Sequence, residues 1–295
     1  IRDRSARIEN CFPEVRKCKK IMSEELSEYA APIEERKGQS INRLAKENYE
    51  TTETVFIWID ILGFSAIVED SSQYEALSSL LGKFKKKFNE TSDYNASVIS
   101  DGIILELNPN RYNWSNRDFT QCFDEISKKQ AEFACETETL IRGGIAVGTK
   151  RYNDNGKDRS FVSNGLARAY NIESHNISWP VIGTTESQMR KLETLCNGKM
   201  NDYFCRAFDP CGNDVYFLDY FSRLDEDQKE KHTTFVVNKI NEYDKELNEC
   251  PTSNSEPPSV ARTQGIRNKY IWLCKYFQKD NNDFSFPQNY QGCVL

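Results

Sequence analysis

Two aspartates stand out by where they fall. Asp60 interrupts the apolar, β-branched and aromatic stretch 55–61 close to its end. An unpaired carboxylate on a buried strand is costly to desolvate, so it needs a partner. The Ile-Leu-Gly-Phe-Ser of 61–65 then turns the chain toward a helix, whose unpaired N–H groups offer an anion site beside that carboxylate. A divalent cation bridging Asp60 to a ligand phosphate satisfies both features. Asp101 lies in the second apolar segment, 96–107, which Ser100, Asp101 and Gly102 break into two strands joined by a tight turn. Alone, an Asp-Gly at a hairpin tip is a turn former. With strands 55–61 and 103–107 adjacent in one sheet, the two carboxylates meet beside the phosphate-binding turn. That donor set suits Mg²⁺ or Mn²⁺. Two such ions serve an in-line phosphoryl displacement, one activating the attacking hydroxyl and the other steadying the leaving group.

The elements that must position these groups follow from periodicity. Residues 55–61 read as a buried strand, and a helix starting at Ser65 or Tyr74 carries Leu77, Leu80, Leu81 and Phe84 on one face through Phe88. Phe119, Phe123, Ile126 and Phe133 mark a second helix, and 139–148 a further strand. Helices over 164–173 and 185–195, short strands at 179–182 and 215–218, and a closing helix over 260–277 complete an α+β pattern. The charge-rich first fifty residues read as a helical lead-in, while 152–160 and 250–259 read as loops. Arg142, inside an apolar strand, either pairs with a buried carboxylate or faces solvent at an edge.

Composition narrows the function classes. At 295 residues, 38% hydrophobic and 28% charged, the chain carries one sizeable core with solvated additions. A net charge of −6 argues against a nucleic-acid polymer as ligand. The basic run 83–87 alternates with Phe84 and Phe88 at helical spacing and reads as a solvated helix face. Ten cysteines spread from Cys11 to Cys293 read as reduced thiols. Only His175 and His232 are available to complete a zinc site around Cys205 and Cys211, so structural zinc is disfavoured. No run is long and apolar enough to span a membrane, and nothing resembles a signal peptide, which points to the cytoplasm.

The motifs Phe-Ile-Trp-Ile-Asp-Ile-Leu-Gly-Phe-Ser (56–65), Val-Ile-Ser-Asp-Gly-Ile-Ile (98–104) and Ile-Arg-Gly-Gly-Ile-Ala-Val-Gly (141–148) resemble, in order and spacing, the core motifs of class III nucleotidyl cyclases. The resemblance extends through Asn-Gly-Leu-Ala-Arg-Ala-Tyr-Asn-Ile-Glu (164–173) and covers roughly 52–225. It implies a ferredoxin-like catalytic domain over 52–225, with a helical lead-in at 1–51 and a helical C-terminal extension at 226–295. It also implies a homodimer with active sites at the interface, two Mn²⁺ or Mg²⁺ ions on Asp60, Asp101 and the Ile61 carbonyl, and triphosphate contacts from Ile61, Leu62, Gly63, Phe64 and Ser65. The Asn and Arg that stabilise the transition state in this class fall on Ala167 and Asn171 in an ungapped register, with Arg168 one residue away. The purine-reading Lys and Asp fall on Ser97 and Ser160. Neither reader is present, so either the base preference differs or the relative is inactive. Retention of both metal carboxylates favours an active enzyme.

The Ala-Tyr before Glu173, Trp179-Pro-Val-Ile and Lys269-Tyr-Ile-Trp-Leu are similar to the pyrimidine cyclases of bacterial Pycsar antiphage systems. That likeness implies UTP or CTP as substrate, cyclic UMP or cyclic CMP as product, and a separately encoded effector gated by the product. Arg159 and Tyr94, near the two lost reader positions, are the candidate base readers. Trp272 and Tyr170 read as core packing. The rival readings are an adenylate or guanylate cyclase with unusual base readers, a catalytically silent nucleotide-binding relative, and an interaction domain that binds neither.

Overall fold

Eleven residues, Thr51–Ile61, form strand β1, and their alternation builds two cores at once. Val55, Ile57, Ile59 and Ile61 enter one apolar cluster, while Phe56 enters another on the opposite face. The computed structural model describes residues 51–278, apart from 65–67, 69–73, 90, 92–93, 108–115, 153–160, 197, 199, 201–202, 210–211 and 250–257. The expected helical lead-in and the 152–160 and 250–259 loops therefore fall wholly or largely outside the described residues.

After β1 come helix α1 (Tyr74–Lys87), strands β2 (Asn95–Ile99) and β3 (Gly102–Leu107), helix α2 (Asn116–Thr137) and strand β4 (Ile141–Tyr152). Their order in the sheet, β2-β3-β1-β4, makes this βαββαβ unit ferredoxin-like. Phe84 and Phe88 at the end of α1 meet Phe119, Phe123, Ile126 and Phe133 of α2 in the first core. Lys87 ties the two helices by bonding Glu132 at 3.1 Å and Glu136 at 2.7 Å, so the basic run is a helix flank, as its spacing suggests.

Strand β5 (Phe161–Ser163) pairs with β4 and leads directly into α3 (Asn164–His175). Ser163 starts that helix as N-cap, its Oγ accepting from the N–H of Gly165 (3.1 Å) and Leu166 (3.2 Å). The helix then lies unusually close to β4: a Cβ on Gly144 would stand 2.0 Å from the Ala169 carbonyl oxygen. Only glycine permits that approach.

The sheet continues through β6 (Ile182–Thr185), parallel to β4, then β8 (Asp214–Leu218) and β7 (Phe204–Phe208), with α4 (Glu186–Leu195) between β6 and β7. The strand expected at 179–182 is thus displaced. Trp179 and Val181 instead form a tight bend, with Val181 N–H bonding the Trp179 carbonyl at 2.8 Å and Pro180 supplying no donor. Strand β7 escaped the sequence reading because it is short and alternates, burying Phe204, Cys205 and Ala207 while exposing Arg206. Long helix α5 (Glu226–Glu249) was marked only as part of an extension, since a charged sequence surrounds its buried His232, Phe235 and Val236.

Helices α5 and α6 (Pro258–Phe277) join the sheet through an aromatic cluster. Trp272 stacks on Trp179 with ring centroids 5.4 Å apart, and the Tyr276 hydroxyl donates to Asp219 Oδ1 at 2.5 Å. His232 lies fully inside this cluster, its Nε2 3.1 Å from the Tyr220 hydroxyl. Burial pulls its pKa from 6.5 down to about 4. Between those values the unfolded chain takes up a proton that the native chain refuses, so stability is full above pH 6.5 and falls as pH drops toward 4. The contribution is about 3 kcal/mol. Urea denaturation at pH 7 and pH 4.5 should show His232→Phe, compared with the wild type, losing less stability or gaining more on acidification, by up to about the His232 contribution.

Candidate active site

The register of β1 places the two aspartates. Asp60 is directly opposite Gly102 on β3 and Arg142 on β4, and Asp101 immediately precedes Gly102 in the two-residue turn from β2. Ser100 opens that turn with φ of +57°, the left-handed first position of a type II′ hairpin. Residues facing across an antiparallel pair share a face, so Ile99, Gly102, Asp60 and Arg142 form one cross-strand row. The next row along the same face is Ser97, Ile104, Trp58 and Gly144.

Both carboxylates are half-buried, and Asp101 lies near enough to act on the charge of Asp60. The pKa of Asp60 is pushed up to about 7. Desolvation is the largest cause, the Asp101 and Glu173 charges add to it, and Arg142 opposes it. Arg142 cannot fully neutralise the pair because it is engaged elsewhere. It forms an ion pair with Glu173 of α3, and its Nη1 donates to the Ile177 carbonyl at 3.2 Å. Of the two sequence readings of Arg142, pairing with a buried carboxylate is the one observed. Glu173, 3% exposed, reaches the arginine because α3 hugs the glycines of β4.

Two adjacent carboxylates with no full counter-charge fit a hard divalent cation through oxygen donors. Among the described residues no three His, Cys, Asp or Glu side chains gather as a metal-binding group. Ile61 ends β1 directly beside Asp60.

The turn after Asp60 is described as far as Phe64. Gly63 has φ of +82°, is exposed, and has no heavy atom within 4 Å of where a Cβ would stand, leaving its backbone open to a ligand. Phe64 is half-buried against the core, and Ser65 lies outside the described residues. The Leu62 N–H donates to the Leu140 carbonyl at 2.9 Å, so it is not a triphosphate donor.

Base-reading candidates fare differently. Ser97 is exposed on edge strand β2, on the same face as Asp60. Arg159 and Ser160 lie outside the described residues. Tyr94 lies in the core instead, 2% exposed, and its hydroxyl accepts from Lys129 Nζ at 2.5 Å. Arg168 and Asn171 are exposed on α3. Arg168 Nη1 donates to the Val147 carbonyl at 3.2 Å and approaches Asn164 Oδ1 at 3.5 Å.

Sequence reasoning missed Glu173 and Trp58 as neighbours of the carboxylates, and it took Tyr170 for core. Tyr170 is 51% exposed and sits edge-on to Trp58, with centroids 5.6 Å apart. Trp272, by contrast, is core at 3% exposure, as expected. The signal for Glu173 was a carboxylate adjoining the apolar stripe of Ala169 and Ile172.

No protein-family model and no curated protein matches this sequence. Solved structures similar in backbone include the adenylyl cyclase CyaB from P. aeruginosa, at TM-score 0.44 and 14% identity over 58% of this chain and 96% of that one. The guanylyl cyclase Cya2 follows at TM-score 0.41, 14% identity, 58% and 94%. A class III adenylyl cyclase-like ATP-binding protein from Pseudomonas aeruginosa shows TM-score 0.39 and 13% identity over 71% of this chain and 47% of its own length. Residue roles rest on the geometry of this chain alone.

Removing the repulsion has a measurable sign. Because the folded pKa of Asp60 is raised, its own contribution to metal-free stability is greatest at acid pH and is lost as pH climbs from about 4 to about 7, opposite in sign to that of His232. Asp60→Asn should therefore stabilise the metal-free protein at pH 8, on the order of 2 kcal/mol once solvent screening is allowed for. Thermal melts with EDTA check this. Added Mn²⁺ should raise the melting temperature of the wild type and leave the variant unmoved.

Proposed function

We propose that this chain is a pyrimidine nucleotidyl cyclase, converting UTP or CTP into the 3′,5′-cyclic monophosphate and pyrophosphate. The observation that carries the reading is the Asp60–Asp101 pair: a carboxylate at the end of β1 and another in the facing β2–β3 turn, under-neutralised, beside an open glycine turn. The loss of both purine readers, at Ser97 and Ser160, gives the pyrimidine preference.

In this reading Asp60, Asp101 and the Ile61 carbonyl hold two Mn²⁺ or Mg²⁺ ions. Such ions, held there, would supply acidification of the ribose 3′-hydroxyl and neutralisation of charge on the leaving pyrophosphate. The backbone around Gly63 and Phe64 receives the triphosphate oxygens. The 3′-oxygen then forms a bond to the α-phosphorus as the bond to the bridging α–β oxygen breaks; the hydroxyl proton passes to solvent and pyrophosphate departs. The exposed side of α3 carries Arg168 and Asn171, which in a homodimer would meet the carboxylates of the other copy and steady charge developing on the α-phosphate. Arg142 has a supporting role: by binding Glu173 it keeps a third negative charge from standing uncompensated next to Asp60.

The wider role follows the resemblance to Pycsar cyclases in the α3 motif, around Trp179 and around Trp272. The cyclic nucleotide would be the signal of an antiphage system, acting on an effector encoded separately, with the enzyme working in the cytoplasm. The 52–225 span would be the catalytic domain and 226–295 its helical extension.

Incubation with each of the four nucleoside triphosphates and Mn²⁺ tests the substrate. Cyclic UMP or cyclic CMP should form, and conversion of ATP or GTP alone would sink the pyrimidine assignment. Asp60→Ala should lower turnover by about a thousandfold or more; an unchanged rate would remove the metal argument.

A further inference from the structure

Arg142 has two anionic neighbours, and the fold decides between them. Its backbone stands directly opposite Asp60 in the sheet, and its charge acts on that carboxylate. The guanidinium is nevertheless committed elsewhere, to Glu173 and to the Ile177 carbonyl. A carbonyl stays where its backbone is held, so the surroundings of Ile177 set where the arginine rests. Ile177 directly follows Asn176, the C-cap of α3, and opens the connection 176–181 to β6. Its side chain is buried on the sheet: a Cβ on Gly183 would lie 2.8 Å from Ile177 Cδ1. The far end of the connection is bonded twice, the Val181 carbonyl accepting from the Gly143 N–H at 3.0 Å and the Pro180 carbonyl from Gln130 Nε2 at 3.3 Å. Between these anchors stands Trp179, whose indole lies parallel to that of Trp272 on α6, with 3° between the ring planes. Trp272 also packs on Phe217 of β8, centroids 5.5 Å apart, and Phe217 is the residue opposite Gly183. The last helix of the chain thus meets the connection at its middle and the sheet next to Ile177.

We infer that Trp272 is a positioning residue for the cation site: stacked on Trp179, it holds the Ile177 carbonyl where that carbonyl keeps Arg142 off the Asp60–Asp101 pair. The inference rests on the proposed cation site. Two arrangements of one guanidinium compete. Bound to Glu173 and Ile177, it leaves the carboxylates open to a divalent ion. Turned to Asp60, it makes a charge-assisted pair that an entering ion must first displace. Loosening the connection favours the second arrangement, because a partly buried N–H that loses its neutral acceptor is costly to leave unpaired. The hairpin of α5 and α6 thereby sets metal affinity from outside the span that carries the catalytic motifs.

Mn²⁺ affinity, measured by calorimetry on the full chain, tests this. Trp272→Leu should bind Mn²⁺ about 3- to 30-fold more weakly than the wild type, while Trp272→Phe, which keeps a ring on Trp179, should bind it nearly as well as the wild type. In turnover the leucine variant should need correspondingly more Mn²⁺ for half-maximal rate and regain the wild-type kcat once saturated. Leu273→Ala, at a fully buried position on the same helix, is the structural control: it should lower the urea midpoint and leave Mn²⁺ affinity in place. With Arg142→Gln and Glu173→Gln combined, no charge remains to be misplaced, so adding Trp272→Leu should weaken Mn²⁺ binding no further. An unchanged affinity in Trp272→Leu, an equal loss in Leu273→Ala, or the same loss in the doubly substituted background would overturn the inference. Affinities that follow this pattern while no nucleoside triphosphate is cyclised would fell the cyclase reading and leave this one standing.

Discussion

Repulsion between two carboxylates, built into the register of β1 against β3, is the constraint on which the rest of the structure depends. Asp60 is opposite Gly102, Gly102 follows Asp101, and a two-residue turn leaves Asp101 nowhere else to go. Slipping that register by one residue would turn every β1 side chain to the other face, placing Asp60 in the core and Ile59 in the site. Such a slip would bury the Asp60 carboxylate among apolar side chains, so the hydrophobic core itself keeps the charges together. Folding alone gains nothing from the arrangement, and burial leaves Asp60 reluctant to ionise. In the proposed reading, a bound cation makes it favourable.

The surrounding architecture limits the cost. Glycine in β4 draws α3 so close that Glu173 reaches Arg142, and the ion pair they form keeps positive charge near Asp60 without placing it on the carboxylate pair. A second buried pair, Lys150 with Glu106, links β4 to β3 on either side of β1. Breaking one partner from such a pair costs about 3–5 kcal/mol, so these strands are held against shear as well as by their hydrogen bonds. Helices α1 and α2 seal the far face with phenylalanines. The near face is covered by α3 over β4, while Trp58, Ser97 and Ile99 retain solvent contact.

Much of this was legible in the sequence, for definite reasons. Short apolar, β-branched runs gave β1, β3 and β4, and phenylalanines at helical spacing gave α1 and α2, because in each the core face is nearly free of charge. Ser100-Asp101-Gly102 marked its own turn. What escaped notice depended on long-range contact. That Tyr170 is a surface residue beside Trp58 follows from the pitch of α3 over Gly144, which no local pattern records. Tyr94 became core because Lys129, distant in sequence, meets its hydroxyl. Strand β7 and helix α5 hid behind charged residues whose apolar partners are few.

The claim that Asp60 and Asp101 form a cation site has a direct thermodynamic signature. A carboxyl with a pKa near 7 that binds Mn²⁺ must give up its proton as the ion enters. Titrating Mn²⁺ calorimetrically in buffers of different ionisation enthalpy counts that proton. The account predicts release approaching one proton per site near pH 6, fading to none by about pH 9, and absent in Asp60→Asn. Binding of Mn²⁺ with no proton released at pH 6, or with the same release from the variant, would contradict it.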